Sequence, residues 1–411
     1  MNNISVNKQL ALLKAKIISF GVDFGDITFN DLCDYKTKKK FIRPIVRNGE
    51  VFDESKRNEV IPSELIINVK DNLSLVKIRH NPASPIKAQK KDSGVILNFT
   101  EENIECYATY VKEAKILNES IQIGNEEYKV KDFLSIVGLD RISILLFDGC
   151  SNWNTGTPCK FCDMHPKEKN TRVIIPSTNE LFAKNLDVDV WWDNRKELLF
   201  AGVQAAYNKI ICNGNIGPHY HTFIMAGSLP KSSDTWKFII ELVSHIEKSM
   251  VGDIIINAQP HSKIEELIIL KKMGVKQIQY NIEVFGESLY HDICMSKIPY
   301  KLLMEKLAEA VKVFGRGNVR SNFVLGLQPI DEVFEGARTL SQMGVVPDYS
   351  IFQPKKCTAF ENHSTASLND IILCSEFLCD LYIKNGFKPI FCNFSSRSSI
   401  MNEMYYAYEE N

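Results

Sequence analysis

The 411-residue, 46.8 kDa chain is 45% apolar and 24% charged, and its 49 basic and 50 acidic side chains leave a formal net charge of −1. This composition excludes disordered, collagen-like and coiled-coil chains, and the near-neutral balance offers no general field for a polyanion, so nucleic acid is not an expected partner. No run approaches 18 consecutive apolar residues and no signal-type apolar region opens the chain, so no membrane association and a cytoplasmic location are expected.

In chain order, the mixed apolar and basic spacing over Lys8–Phe20, stopped by Gly21, predicts a first helix. The basic stretch Asp31–Val51, with Lys36, Lys38, Lys39, Lys40, Arg43 and Arg47, reads as a solvated face. Short alternating segments at Ser74–Ile78, Gly94–Phe99, Glu105–Val111 and Ile121–Val130 predict a small β-rich unit. From Arg141 onward, apolar runs alternate with amphipathic segments, the pattern of buried parallel strands with crossover helices. Strands are expected at Ile142–Phe147, Thr222–Met225, Ile254–Ala258, Gln277–Ile282, Asn322–Leu327 and Tyr349–Phe352. Helices are expected at Glu197–Ile211, Thr235–Lys248, Lys263–Met273, Tyr300–Phe314 and Asp331–Gln342. Six such units predict an α/β fold, a (βα)6 partial parallel barrel over residues 139–360, preceded by an N-terminal α/β accessory domain over 1–138. Residues 361–411 form a short C-terminal cap, with a helix at Leu368–Lys384, a strand at Pro389–Phe394 and a Ser-rich tail.

Eleven cysteines in such a chain point to metal ligands, catalytic groups or buried thiols rather than a disulfide framework. Cys150, Cys159 and Cys162 share one loop just after the first apolar strand, where the carboxyl ends of parallel strands gather functional groups. With His165 they fit a closed Cys3His zinc site. As three thiolates alone, they fit an iron–sulfur cluster with one iron left open.

The stretch from Cys150 to Cys162 resembles the radical S-adenosylmethionine (radical SAM) enzymes, here as C-x8-C-x2-C with Phe161 in the aromatic place before the last cysteine. Ala226-Gly227-Ser228 is similar to the family's glycine-rich turn after the second strand, Ser228 standing where an acidic residue is usual. Asn281 and Glu283 match polar positions at the fourth strand end, Lys297 the lysine of the following loop, and Gly326 the glycine of the fifth strand. The resemblance spans about residues 140–360. It implies a [4Fe–4S] cluster on Cys150, Cys159 and Cys162, and SAM held near Phe161, Ala226, Gly227, Ser228, Asn281, Glu283, Lys297 and Gly326. It also implies a 5′-deoxyadenosyl radical that takes hydrogen from a small-molecule or peptide substrate, and an electron donor such as a flavodoxin or ferredoxin. Aminocarboxypropyl transfer from SAM and a zinc-stabilised binding protein stand as alternatives. A bulky residue at Gly227 is expected to block SAM while sparing iron.

Cys357 and Cys392, near the ends of late strands, are candidates for hydrogen donation or substrate contact. Cys33, Cys106, Cys212, Cys374 and Cys379 read as buried inert thiols. His219 and His221 lie toward the amino-terminal rim of the strands, and Trp191-Trp192 read as interface or core residues rather than a stacking platform for nucleic acid. Arg397 is open to a substrate anion or to solvent.

Overall fold

The computed structural model describes residues 5–29, 35–39, 60–164, 174–212, 221–246, 252–355, 357–390 and 396–409. The first helix, Val6–Phe20, is capped by the Ser5 side chain, which accepts from the Lys8 N–H at 3.3 Å, and it ends at Gly21 with φ 73°. Leu10, Leu13 and Ile17 form its buried stripe.

The N-terminal strands are β1 Thr37–Lys39, β2 Val60–Pro62, β3 Glu64–Val69, β4 Asn72–Lys77, β5 Ile86–Lys91, β6 Gly94–Phe99 and β7 Ile104–Tyr110. Strands β3–β7 make an antiparallel sheet in the order β4-β3-β7-β6-β5. Alternation in β6 buries Val95, Leu97 and Phe99, as a sheet with one covered face requires. The segment expected as Ile121–Val130 is a hairpin of β8 Ser120–Ile123 and β9 Glu126–Lys129, turning at Gly124 with φ 62°. Most of the basic stretch 31–51 lies outside the described residues. Lys36 is described and is no solvated side chain: its ammonium donates to the carbonyls of Ile136 (3.0 Å) and Gly138 (2.9 Å) and faces Glu64 at 3.6 Å.

The large sheet comprises β10 Leu134–Val137, β11 Arg141–Leu145, β12 His221–Met225, β13 Asp253–Asn257, β14 Val275–Gln279, β15 Val319–Leu325 and β16 Val345–Ile351, in sequential order. Strand β10 is antiparallel to β11, and β11–β16 are all parallel, with helices between them: the predicted partial barrel. The sheet thus begins at Leu134, within the stretch expected to be the accessory domain. Ile142, Ile144, Ile224, Ile254, Ile256 and Ile278 are fully buried. The alternate positions Leu145, Met225, Asn257 and Gln279, aligned in register, are only half-buried and form the second face.

Helices run over Val188–Cys212, Ser232–His245, Ile264–Lys272, Tyr300–Phe314, Ile330–Met343 and Leu368–Asn385. The first begins nine residues before Glu197, because Trp191 and Trp192 are core residues of its opening turns, 1% and 0% exposed. The Ser-rich tail contains a helix, Met401–Glu409, whose Met401, Met404 and Tyr405 are buried and which packs on the first helix. Lys14, fully buried in that first helix, pairs with Glu403 at 2.7 Å, and Ser74 donates to the same carboxylate. Arg397 is committed to an ion pair with Glu64, which removes it as a substrate contact. The two chain ends therefore share one core. The expected strand at 389–394 lies mostly outside the described residues. No helix among the described residues is long and apolar enough to cross a membrane.

Candidate active site

Beyond β11 the chain bends at Gly149, φ 92°, and Cys150 opens a single helical turn, Ser151–Asn154. This turn is held against the end of β12. The Ser151 N–H donates to the Ser228 carbonyl at 2.8 Å, and the Ser228 N–H points at the Cys150 sulfur at 3.4 Å. Gly227 makes the approach possible: a Cβ there would lie 2.2 Å from the Gly149 oxygen and 3.1 Å from the Cys150 Cβ. Ala226 continues the strand pairing, its N–H on the Asn257 carbonyl at 3.2 Å.

Cys159 and Cys162 lie on the following turn, closed by the Cys162 N–H on the Cys159 carbonyl at 3.0 Å. Lys160 ties that turn to two other strand-end loops: its N–H donates to Ile293 and its carbonyl accepts from Phe360, each at 3.0 Å. Phe161 packs half-buried on the core. The Cys162 sulfur accepts from the Met164 N–H at 3.5 Å. Burial, with the nearby Cys159 and Cys150 thiols adding to it, pushes the Cys162 thiol up to about 11. The neighbouring Cys294 thiol holds the Cys159 pKa below the usual thiol value against the opposing effect of burial, with help from the Lys297 cation. No three His, Cys, Asp or Glu side chains among the described residues close on a single-ion site.

On the β14 side, Glu283 adopts a left-handed backbone, φ 64°, a conformation that costs a non-glycine residue of order 1–3 kcal/mol. It persists because the neighbouring strand grips both backbone groups: the N–H donates to Asn322 (2.9 Å) and the carbonyl accepts from Val324 (2.8 Å). The buried carboxylate meets the Lys297 ammonium at 2.5 Å. Burial alone would lower the Lys297 pKa, but Glu283 and the Cys294 and Cys159 thiols hold it well above the ordinary lysine value. Tyr290, 2% exposed, is under the influence of Lys297, Cys294, Glu283 and Cys159, and its buried hydroxyl has no hydrogen-bond partner among the described residues. Asn281 is half-buried and accepts from Gln279 at 2.9 Å.

Cys150, Cys159, Cys162, Gly227, Ser228, Glu283 and Lys297 thus converge at the carboxyl ends of the strands, while other expected residues do not join them. Gly326, φ 105°, is occupied by the close passage of Ala366, whose nitrogen would lie 2.7 Å from a Cβ there. Cys357 stands exposed on the loop after β16 with φ 63°, its N–H on Glu361 at 2.9 Å. Cys392, Cys33, His165 and His219 lie outside the described residues. Cys106, Cys374 and Cys379 are buried as expected, whereas Cys212 is exposed at the end of its helix. His221 is buried at the opposite end of β12. Cys294 and Tyr290 are site residues that spacing did not reveal.

A parallel partial barrel with three thiols, a glycine turn and a buried Glu–Lys pair at its strand ends is the arrangement expected from the sequence's resemblance to radical SAM enzymes. No family profile matches the chain. It is 24% identical over 270 residues to the bacteriochlorophyllide c C-7(1)-hydroxylase of Chlorobaculum limnaeum, covering 61% of this chain and 62% of that protein. Among solved structures it is similar to the FeFe-hydrogenase maturase HydG from Carboxydothermus hydrogenoformans, with a TM-score of 0.41, 15% identity, and 62% of this chain and 54% of that one covered. It is also similar to methylornithine synthase (PylB), with a TM-score of 0.42, 13% identity, and 60% of this chain and 64% of that one covered.

Proposed function

We propose that Cys150, Cys159 and Cys162 hold a [4Fe–4S] cluster whose open iron takes SAM, and that the enzyme abstracts hydrogen from carbon on a small-molecule or peptide substrate. The observation that carries this reading is the seating of Gly227-Ser228 directly on Cys150, which brings the glycine turn and a thiol to one point. Three soft sulfur donors suit iron–sulfur chemistry, and a fourth ligand from SAM completes the set.

A cluster held by these cysteines would supply the one electron needed to break the sulfonium C5′–S bond of SAM into methionine and a 5′-deoxyadenosyl radical. The chain's own residues do the rest. The Ala226-Gly227-Ser228 turn presents backbone groups to the methionine end of SAM. Glu283 and Asn281 face its polar ribose or methionine atoms, and Lys297, at 2.5 Å, holds the Glu283 carboxylate in position. Phe161 shields the cluster turn. Gly326 acts through Ala366, as a packing element behind the cofactor. The loop after β16, joined to the cysteine turn through Phe360 and Lys160, borders the opening, where exposed Cys357 can meet a substrate; Cys392 is the other candidate thiol. The electron comes from a flavodoxin- or ferredoxin-type donor. The hydroxylase relative supports a reaction at a C–H bond, although the chain spans only 62% of that protein's length.

The test is product analysis after anaerobic reconstitution and reduction with SAM. Methionine and 5′-deoxyadenosine are expected; methylthioadenosine would replace this reading by aminocarboxypropyl transfer.

A further inference from the structure

Tyr280, just beyond β14, distinguishes the two faces of the large sheet. Its ring meets Trp236 of the helix Ser232–His245 edge-on at 6.0 Å, and its hydroxyl is 3.0 Å from His261. Ile278 shares that helix-covered side, so by alternation Gln277 and Gln279 point to the inner face. Strand register sets Asn257 beside Gln279 on this face, with Met225 and Leu145 beyond it. Asn322 and Ser350 continue it on β15 and β16, joined by a 3.0 Å hydrogen bond from the Asn322 amide.

The inner face has two halves. On β11, β12 and the lower part of β13, the strands that lead to the cysteine loop and the glycine turn, it is apolar: Leu145, Phe223, Met225 and Ile255. Across the end of β13 and on to β16 it is built of carboxamides and a hydroxyl. From the level of Gln279 to the strand ends, its charged strand residues are Arg320 and Asp348, which answer each other at 2.8 Å, and Arg320 donates also to the Lys388 carbonyl. At the rim Lys297 is paired with Glu283. The amide of Gln279 donates to Asn281 at 2.9 Å, and that of Asn322 donates to Ser350 and to the Phe323 carbonyl, so these two side chains turn acceptor oxygens inward. Below them Gln277, 8% exposed, has a buried Oε1 with no hydrogen-bond partner among the described residues.

A face whose cations are already paired does not hold a carboxylate or a phosphate. Carboxamides match an amide group for group, donor to acceptor. The apolar half would leave the hydroxyls of a sugar without partners. We propose that this face seats a neutral amide group of the substrate on Asn257, Gln279 and Asn322, with the substrate's apolar carbon frame against Leu145 and Met225. The substrate is then an uncharged amide, of a peptide-type backbone or a small carboxamide, and not an acid, a phosphate or a sugar. This deepens the functional reading above and rests on it.

The experiment measures binding to the full-length protein, reconstituted anaerobically and saturated with SAM, by ligand-observed nuclear magnetic resonance, with iron and sulfide counted beforehand. The probes are N-acetyl-L-leucine methylamide, a neutral diamide with an apolar side chain; N-acetyl-L-leucine, in which a carboxylate replaces one amide; isovaleramide, a single carboxamide; and methyl α-glucoside. The diamide is expected to bind about tenfold more tightly than the acid or the glucoside, and Asn257→Leu to weaken it about tenfold while leaving the acid as weak as before. If the leucine protein does not fold, Gln279→Met makes the same test with a side chain of equal length. Tighter binding of the diamide than of isovaleramide supports a peptide-type substrate, and the reverse supports a small carboxamide. Acid or glucoside bound as tightly as the diamide overturns the proposal, as does a native protein that binds no diamide or a folded variant that binds it undiminished. A native protein that takes up no iron and sulfide yet still prefers the diamide would sink the cluster reading and leave the amide seat standing.

Discussion

Gly227→Ala is the smallest change that should disturb the site. A Cβ at this position would sit 2.2 Å from the Gly149 oxygen, about 1 Å inside ordinary contact, and 3.1 and 3.2 Å from the Cys150 Cβ and Cα. The colliding atom is a backbone carbonyl, so no side chain can swing aside, and the cysteine loop must move. Overpacking of this kind costs roughly 1–3 kcal/mol, a fall of several degrees in Tm. The chemical effect is larger, since metal–ligand distances tolerate only about 0.2 Å and Cys150 moves with Gly149. The sequence alone suggested that a larger residue here would block SAM and spare iron. The geometry directs the collision at the cysteine loop, so iron is expected to fall as well. Iron and sulfide per chain after anaerobic reconstitution, with a thermal melt of the same sample, test this. A Gly227→Ala protein with native Tm and full iron would refute the close approach.

Lys297→Met leaves the Glu283 carboxylate buried without its cation and is expected to cost about 3–5 kcal/mol in urea unfolding, most of it recovered in the Glu283→Gln/Lys297→Met double variant; simple additivity would show that the two groups are not coupled. His221 is buried beside the Arg141 cation, burial first and that charge second pushing its pKa down to about 3. The unfolded chain binds this proton near pH 6.5 and the folded chain does not, so the stabilisation is fully present above 6.5 and is lost as pH falls toward 3, by up to ~1.4 kcal/mol per pH unit. In His221→Gln this slope should flatten, and an unchanged slope would mean that other groups carry it.

The barrel was legible because buried parallel strands are apolar runs and the crossover helices Ser232–His245, Tyr300–Phe314 and Ile330–Met343 are strongly amphipathic. The helix Tyr300–Phe314 has the ends its spacing predicts. Strand β5, Ile86–Lys91, escaped notice because it is the polar, lysine-bearing edge of its sheet, where charges guard an open edge and erase the apolar signal. The helix Met401–Glu409 was hidden behind a serine-rich approach, and its apolar face gains meaning only against the first helix, almost 400 residues away. In the site, the cysteine loop stood out by its spacing and its place after a strand. The nearness of Cys294 to Cys159 did not, because a thiol on a separate loop comes beside the cysteine turn only when β11 and β14 extend to the same rim. Nor does sequence reveal that Glu283 takes a left-handed backbone, which is imposed by Asn322 and Val324 on the neighbouring strand.

The central claim is that Cys150, Cys159 and Cys162 bind a cluster without help from His165. Its most direct test is the metal content of the native protein and of Cys150→Ala, Cys159→Ala, Cys162→Ala and His165→Ala, each reconstituted anaerobically with iron and sulfide. The native and His165→Ala proteins should carry a [4Fe–4S] cluster with its broad brown absorbance, and each cysteine variant should lose it. Zinc in the native protein, lost together with the imidazole in His165→Ala, would contradict the account.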